Sequence, residues 1–203
     1  MKQSEKLFIP ATGSVVGIER KKSRFIAELT PVNTRTDVQN KILDLTNEHP
    51  EASHIVYAFC IGGLTREILG MSDDGEPKGT AGRPVLEVLR GRSVTNALIS
   101  VVRYFGGTKL GTGGLVKSYG ESAKRVLESA QLEELIAWQS VHCLVPYGLV
   151  TRVQRMVNEY GGQIESEQYA EDVEFVIRVA VIQVSSFIRT LTNISSGTIL
   201  FDE

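Results

Sequence analysis

Three close-set carboxylates, Asp73, Asp74 and Glu76, open a stretch that also gathers a run of glycines and a set of cations, from Ser72 to Tyr119. Its two ends read SDDGEPKGTAGRP and RYFGGTKLGTGGLVKSY, and eleven of the 19 glycines lie between Gly70 and Gly120. Glycine at this density lets backbone N–H groups approach a ligand that side chains would hold off. The second stretch runs into an expected helix start, where free N–H groups and the helix dipole favour an anion. Phosphate is the ligand these residue types suit. The candidate contacts are Lys78, Arg83, Arg103, Lys109 and Lys117 with the loop residues Gly106, Gly107, Thr108, Gly111, Thr112, Gly113 and Gly114. Lys21, Lys22 and Arg24 extend the same surface.

Charge sharpens the point. From Lys78 to Arg125 nine Lys and Arg face only Glu87 and Glu121, a local balance of +7. Residues 126–203 carry four bases and eleven acids, a balance of −7, so the overall −2 hides a basic middle and an acidic end. The basic part suits phosphate groups; the acidic part should repel nucleic acid. Tyr104, Phe105 and Tyr119 are available for base stacking. Aromatics in an apolar strand or on a helix stripe usually belong to the core, and the pattern predicts that for Phe105 and Tyr119.

Other chemistries fit less well. Gly106 to Gly111 satisfies G-x-x-x-x-G, but Thr112 and Gly113 stand where a P-loop needs Lys and Ser or Thr. Asp73, Asp74 and Glu76 are the acidic candidates for Mg²⁺ or general-base work. The competing role is a turn at Asp74-Gly75, with Asp73 or Asp74 bonding local backbone and pairing with Arg83 or Arg103. Adjacent carboxylates on an extended chain point apart, so no catalytic residue is assigned, and neither a metal nor a cofactor is expected. His49, His54 and His142 lie in separate segments, Cys60 and Cys143 lack metal-ligand spacing, and Ser72 is not in a nucleophile elbow.

The elements that must position these residues follow from hydrophobic period. Residues 14–19 and 23–32 read as a strand pair joined through Arg20-Lys21-Lys22. Thr36 with Gln39 resembles a capping box for a helix ending at His49-Pro50. His54–Gly63 is a buried strand that pairs with Glu67–Met71. Pro84 sits in the first turn of a short helix, Ala97–Phe105 is an apolar strand, and a helix runs from about Gly113 to Ala130. After Glu133-Glu134 the pattern restarts as strand, helix, two strands, helix and a last strand, with Gly161-Gly162 stopping the first helix. The strong strand VEFVIRVAVI puts Val173, Phe175, Ile177, Val179 and Val181 on one face. That order, β-α-β-β-α-β, is a ferredoxin-like unit. The fold class is α+β with two domains, residues 1–132 and 133–203.

At 203 residues, 42% hydrophobic and 23% charged, the chain is globular in composition. The N-terminus lacks a signal peptide's apolar core, and no apolar run approaches the ~20 residues of a membrane span. Two isolated cysteines do not make a disulfide framework. The expected setting is cytoplasmic.

The motifs SDDGEPKGTAGRP and RYFGGTKLGTGGLVKSY closely resemble the signature segments of the IMPACT/YigZ family. KKSRFIA (Lys21 to Ala27) and EHPEASH (Glu48 to His54) fit its opening part. The resemblance covers essentially the whole chain and is nearest to the short bacterial form. It implies an N-terminal domain like the second domain of a small-subunit ribosomal protein, a fold shared with GHMP kinases. It implies a C-terminal domain similar to domain V of elongation factor G. It also implies a part in translation: eukaryotic relatives bind the activator of a kinase that phosphorylates an initiation factor. The expectation is a non-enzymatic binding protein whose partner is RNA or the ribosome, with a translation-regulatory protein as a further partner and no membrane. The alternatives are an enzyme acting on a nucleotide or phosphorylated small molecule, and a pure protein–protein regulator.

Overall fold

The computed structural model describes residues 6–63 and 66–201. Residues 1–5, 64–65 and 202–203 lie outside the description. The chain divides into two compact units, Met1–Leu135 and Ile136–Glu203.

The first unit opens with β1 (Phe8–Pro10), β2 (Ser14–Arg20) and β3 (Ser23–Pro31). The β2–β3 turn is made by Lys21 and Lys22, with φ of 47° and 66°. Two consecutive residues in this region are the mark of the hairpin turn whose twist matches its strands. Along β3 the two-residue period sends Phe25, Ala27 and Leu29 fully inward. Helix α1 (Arg35–Glu48) follows. Its capping box uses Thr34, whose hydroxyl accepts from the Asp37 N–H at 3.1 Å while the Asp37 carboxylate accepts from Thr34 N–H at 2.8 Å. The box therefore begins two residues before Thr36. Both threonines precede the same apolar stripe, and the Asp37 carboxylate reaches back from the first turn.

Next come β4 (His54–Gly62), β5 (Glu67–Ser72), α2 (Gly82–Gly91), β6 (Ala97–Tyr104), α3 (Thr112–Glu128) and β7 (Leu132–Glu134). The main sheet has the order β2-β3-β6-β4-β5, antiparallel throughout, and β1 pairs with β7 in a small separate sheet. Helices α2 and α3 cover one face, closing a core that includes Phe25, Leu89, Ile99 and Tyr119. Helix α1 covers part of the other face over Val32, Phe59 and Leu98.

The second unit has β8 (Trp138–Val145), α4 (Val150–Glu159), β9 (Gln163–Tyr169), β10 (Val173–Ala180), α5 (Val181–Ser195) and β11 (Leu200–Phe201). A 3₁₀ turn at Tyr147–Leu149 leads into α4. The sheet order β11-β8-β10-β9 and the β-α-β-β-α-β sequence make this a ferredoxin-like fold. Its core is Val141, Phe175, Ile177, Phe187 and Leu191 with their neighbours. Val181, expected in the strand, begins the helix instead. The apolar run crosses the junction unbroken, so periodicity alone does not mark it. Gly161 ends α4 with φ 63°, as a C′ glycine does.

Candidate functional site

The first glycine loop is organised around Asp73. Its carboxylate accepts backbone N–H groups from Gly79 at 2.8 Å, Ala81 at 3.1 Å and Gly82 at 2.8 Å. Burial pushes the Asp73 carboxyl up, but these three donors outweigh it and hold it below the usual range. The start of α2 is thereby capped by an anion of the chain's own. Asp74 turns the other way: its carboxylate accepts the Ile55 N–H at 2.5 Å, and its carbonyl accepts from His54 Nδ1 at 2.6 Å. Because a carbonyl only accepts, that ring nitrogen carries the proton.

Glu76 goes inward. Its Oε1 receives Arg103 Nη1 at 2.5 Å and the Tyr119 hydroxyl at 2.7 Å, and Oε2 lies 3.9 Å from His54 Nε2. Arg103 is only 5% exposed, with its guanidinium over the rings of Phe25 and Phe105 at 5.5 and 5.7 Å. Burial, then the bond to Glu76, pushes the Tyr119 hydroxyl far up, so it remains a neutral donor. Breaking such a pair from one side leaves a buried charge uncompensated, at a cost of about 3–5 kcal/mol. Arg103, expected at the phosphate, is thus spent on the interior. Each of Asp73, Asp74 and Glu76 is spoken for within the chain, and none pairs with Arg83. Among the described residues no three His, Cys, Asp or Glu side chains converge as metal ligands.

Glu76 ties the Ser72–Gly82 loop to the two elements that flank the second glycine loop, the end of β6 and α3. The β2–β3 turn meets the second loop itself. A Cβ on Gly106 would lie 2.0 Å from the Lys22 carbonyl carbon, so only glycine allows that contact. Ser23 Oγ accepts the Gly106 N–H at 3.2 Å. Lys21, Lys22, Gly106, Gly107 and the loop bearing Thr108 and Lys109 are consequently one surface, and it continues into α3. Gly107 and Gly111 have φ of 81° and 75°, which turn the loop. No side chain caps α3, and no acid stands in its first turn.

The remaining candidates are dispersed. Arg24 alternates with the buried Phe25 and faces the other side of the sheet. Arg83 pairs with Glu87 at 2.9 Å on the outer side of α2. Lys78 is exposed on the first loop, and Lys117 is exposed on the second turn of α3. Lys21, Lys22, Arg24, Lys78, Lys109 and Lys117 make no ion pair with any described residue.

Two aromatic placements divide. Tyr119 is fully buried against Phe25, edge to face at 5.2 Å, as the stripe predicts. Phe105, expected in the core, is 50% exposed. It falls one residue beyond the last ladder pair of β6, where no element covers it. Tyr104 is engaged elsewhere, its hydroxyl 2.8 Å from His49 Nδ1 at the end of α1.

Residues 21–127 match the Impact N-terminal domain, and residues 143–198 match a domain of unknown function, DUF1949. The IMPACT family member YigZ of Escherichia coli (strain K12) is 33% identical over 196 residues, spanning 96% of this chain and 96% of that protein. The IMPACT family member of Haemophilus influenzae is 34% identical, covering 95% of this chain and 94% of its own. YvyE of Bacillus subtilis (strain 168) is 35% identical over 87% of this chain and 81% of its own. A crystal structure described as that of a hypothetical protein superposes with a TM-score of 0.66 at 32% identity, covering 98% of this chain and 97% of the other. Matched in its glycine loops, in its second domain and along nearly all its length, the chain belongs to the IMPACT family.

Proposed function

We propose that this protein is a non-enzymatic binding protein for the phosphate groups of RNA or of the ribosome, with Lys21, Lys22, Lys109, Lys117 and the start of α3 as the contact surface. The translational setting comes from the family resemblance; the phosphate chemistry is supported by what lies at the helix start. The observation that carries it is Gly113. Its φ is not positive, and a Cβ built there would meet nothing within 4 Å. Neither turn geometry nor packing asks for glycine at this position, and in a helix glycine costs about 0.5–1 kcal/mol relative to alanine. An anion approaching the N–H groups of Thr112, Gly113 and Gly114 does ask for it. Lys109 and Lys117, which make no ion pair with any described residue, lie four residues to either side of it along the chain.

The test separates fold from function. Gly113→Ala is expected to leave thermal stability unchanged or raise it, and to weaken binding to ribosomes and RNA. Lys21→Asn/Lys22→Gly removes two charges while supplying residues that favour the same turn. It should keep the fold and flatten the dependence of log affinity on log salt by about 1–2. A wild-type protein that shows no salt-dependent binding to RNA or ribosomes would overturn the proposal and favour a protein partner for the basic face.

A further inference from the structure

Resting on that reading, the structure also points to the kind of nucleic acid. Phe105 is set apart from the other exposed apolar residues by what holds it in place. Its backbone N–H is held by Ser53 Oγ at 3.1 Å. Its ring lies over the Arg103 guanidinium, which Glu76 fixes in place. The Nε–H of that guanidinium has no acceptor among the described residues. The ring is thus a braced aromatic plate, half in water. The chain then continues directly into Gly106, whose backbone touches Lys22. The ring's chain neighbour therefore touches the Lys21-Lys22 turn, whose two cations make no ion pair with any described residue.

We propose that Phe105 is a stacking platform for an unpaired nucleobase whose backbone phosphate lies against Lys21 and Lys22. The ligand is then single-stranded nucleic acid. In a duplex the base faces are covered by their neighbours, and the plate would have nothing to stack on. Arg103 acts here as a positioning residue: it supports the ring from beneath and does not touch phosphate. A base stacked on an aromatic ring contributes in a way that is tolerant of sequence.

The experiment measures binding of a short labelled single-stranded RNA, of the same sequence as a duplex, and of inorganic polyphosphate, which has charge but no base. The proteins compared are wild type, Phe105→Ala and Phe105→Trp. Phe105→Ala should bind the single strand about tenfold or more weakly, with its salt slope and its polyphosphate affinity unchanged. Phe105→Trp should retain binding, and its added indole emission should be quenched by the single strand. Phe105 is half exposed, so both variants are expected to fold, and circular dichroism verifies it. The proposal is overturned if Phe105→Ala binds the single strand like wild type. It is equally overturned if the loss extends to polyphosphate, or if the duplex binds as tightly as the single strand. Polyphosphate distinguishes the two failures. If it binds while Phe105 proves neutral toward RNA, only the stacking role falls. If neither RNA nor polyphosphate binds wild type, the phosphate reading falls and stacking falls with it.

Discussion

At the scale of single residues, the acidic motif is a set of structural commitments. Asp73 is the clearest, because three N–H donors hold its carboxyl below the usual range of about 3.9 despite the burial that opposes them. A carboxylate with a depressed folded value adds stability that is present above its ordinary value and lost as pH falls through the lowered one. Asp73→Asn should therefore be less stable at neutral pH by about 1–3 kcal/mol, with a shallower loss of stability in acid. Urea midpoints measured from neutral to acid pH test this, and parallel curves for the two proteins would refute it. The turn at Asp74-Gly75 and the local backbone bonding of Asp73 were legible in the sequence, and the fate of Glu76 was not. SDDGE announces a turn and three charges, but Glu76 is buried only because Arg103 and Tyr119, far along the chain, converge on it. Phe105 escaped for a related reason: ALISVVRYF is mostly apolar, and only the register tells which residue outlasts the ladder. Cys60 is simpler. Burial, then the charge of Glu67, pushes its thiol up to about 12, the behaviour of a core residue.

At the scale of elements, the glycine loops contain residues of two kinds. Gly106 is required by the fold: a methyl group there would strike the Lys22 carbonyl group, which is backbone and has no side-chain freedom to yield. Gly106→Ala should destabilise by about 1–3 kcal/mol or more, where Gly113→Ala should not. A thermal melt of the two variants side by side decides it, and equal stabilities would contradict the geometry. Sequence reading singled out both glycines as one loop without separating these roles, since the contact belongs to a turn more than eighty residues earlier. The long periodic elements were plain: the β2–β3 pair, α3, and the whole order of the second unit with its period-two strands. The pair β1 and β7 was not, because three residues each are too few to show any period. Turn chemistry misled in a smaller way at α1, where Thr36 with Gln39 was expected as the capping box and Thr34 with Asp37 forms it.

At the scale of the whole molecule, charge and architecture divide together. Residues 1–135 hold eighteen bases and sixteen acids, and residues 136–203 hold four bases and eight acids. Each unit closes its own core, and a domain with its own core is able to fold alone. Residues 136–203 expressed alone should unfold cooperatively in urea and bind no polyanion, while residues 1–135 should keep the salt-dependent binding. A non-cooperative transition for the shorter piece would show that it depends on the rest of the chain. The cluster at Glu76 has a consequence for how the first unit is assembled. Glu76 is 27 residues from Arg103 and 43 from Tyr119, so no local segment can complete it. The loop, the strand end and the helix must all have arrived before the carboxylate finds its partners. A half-assembled chain would have to choose between stranding a charge in the interior and leaving the loop loose in water. The ionic cluster therefore works as a checkpoint on folding: the surface around the second glycine loop becomes rigid only in a chain whose distant parts are already in place.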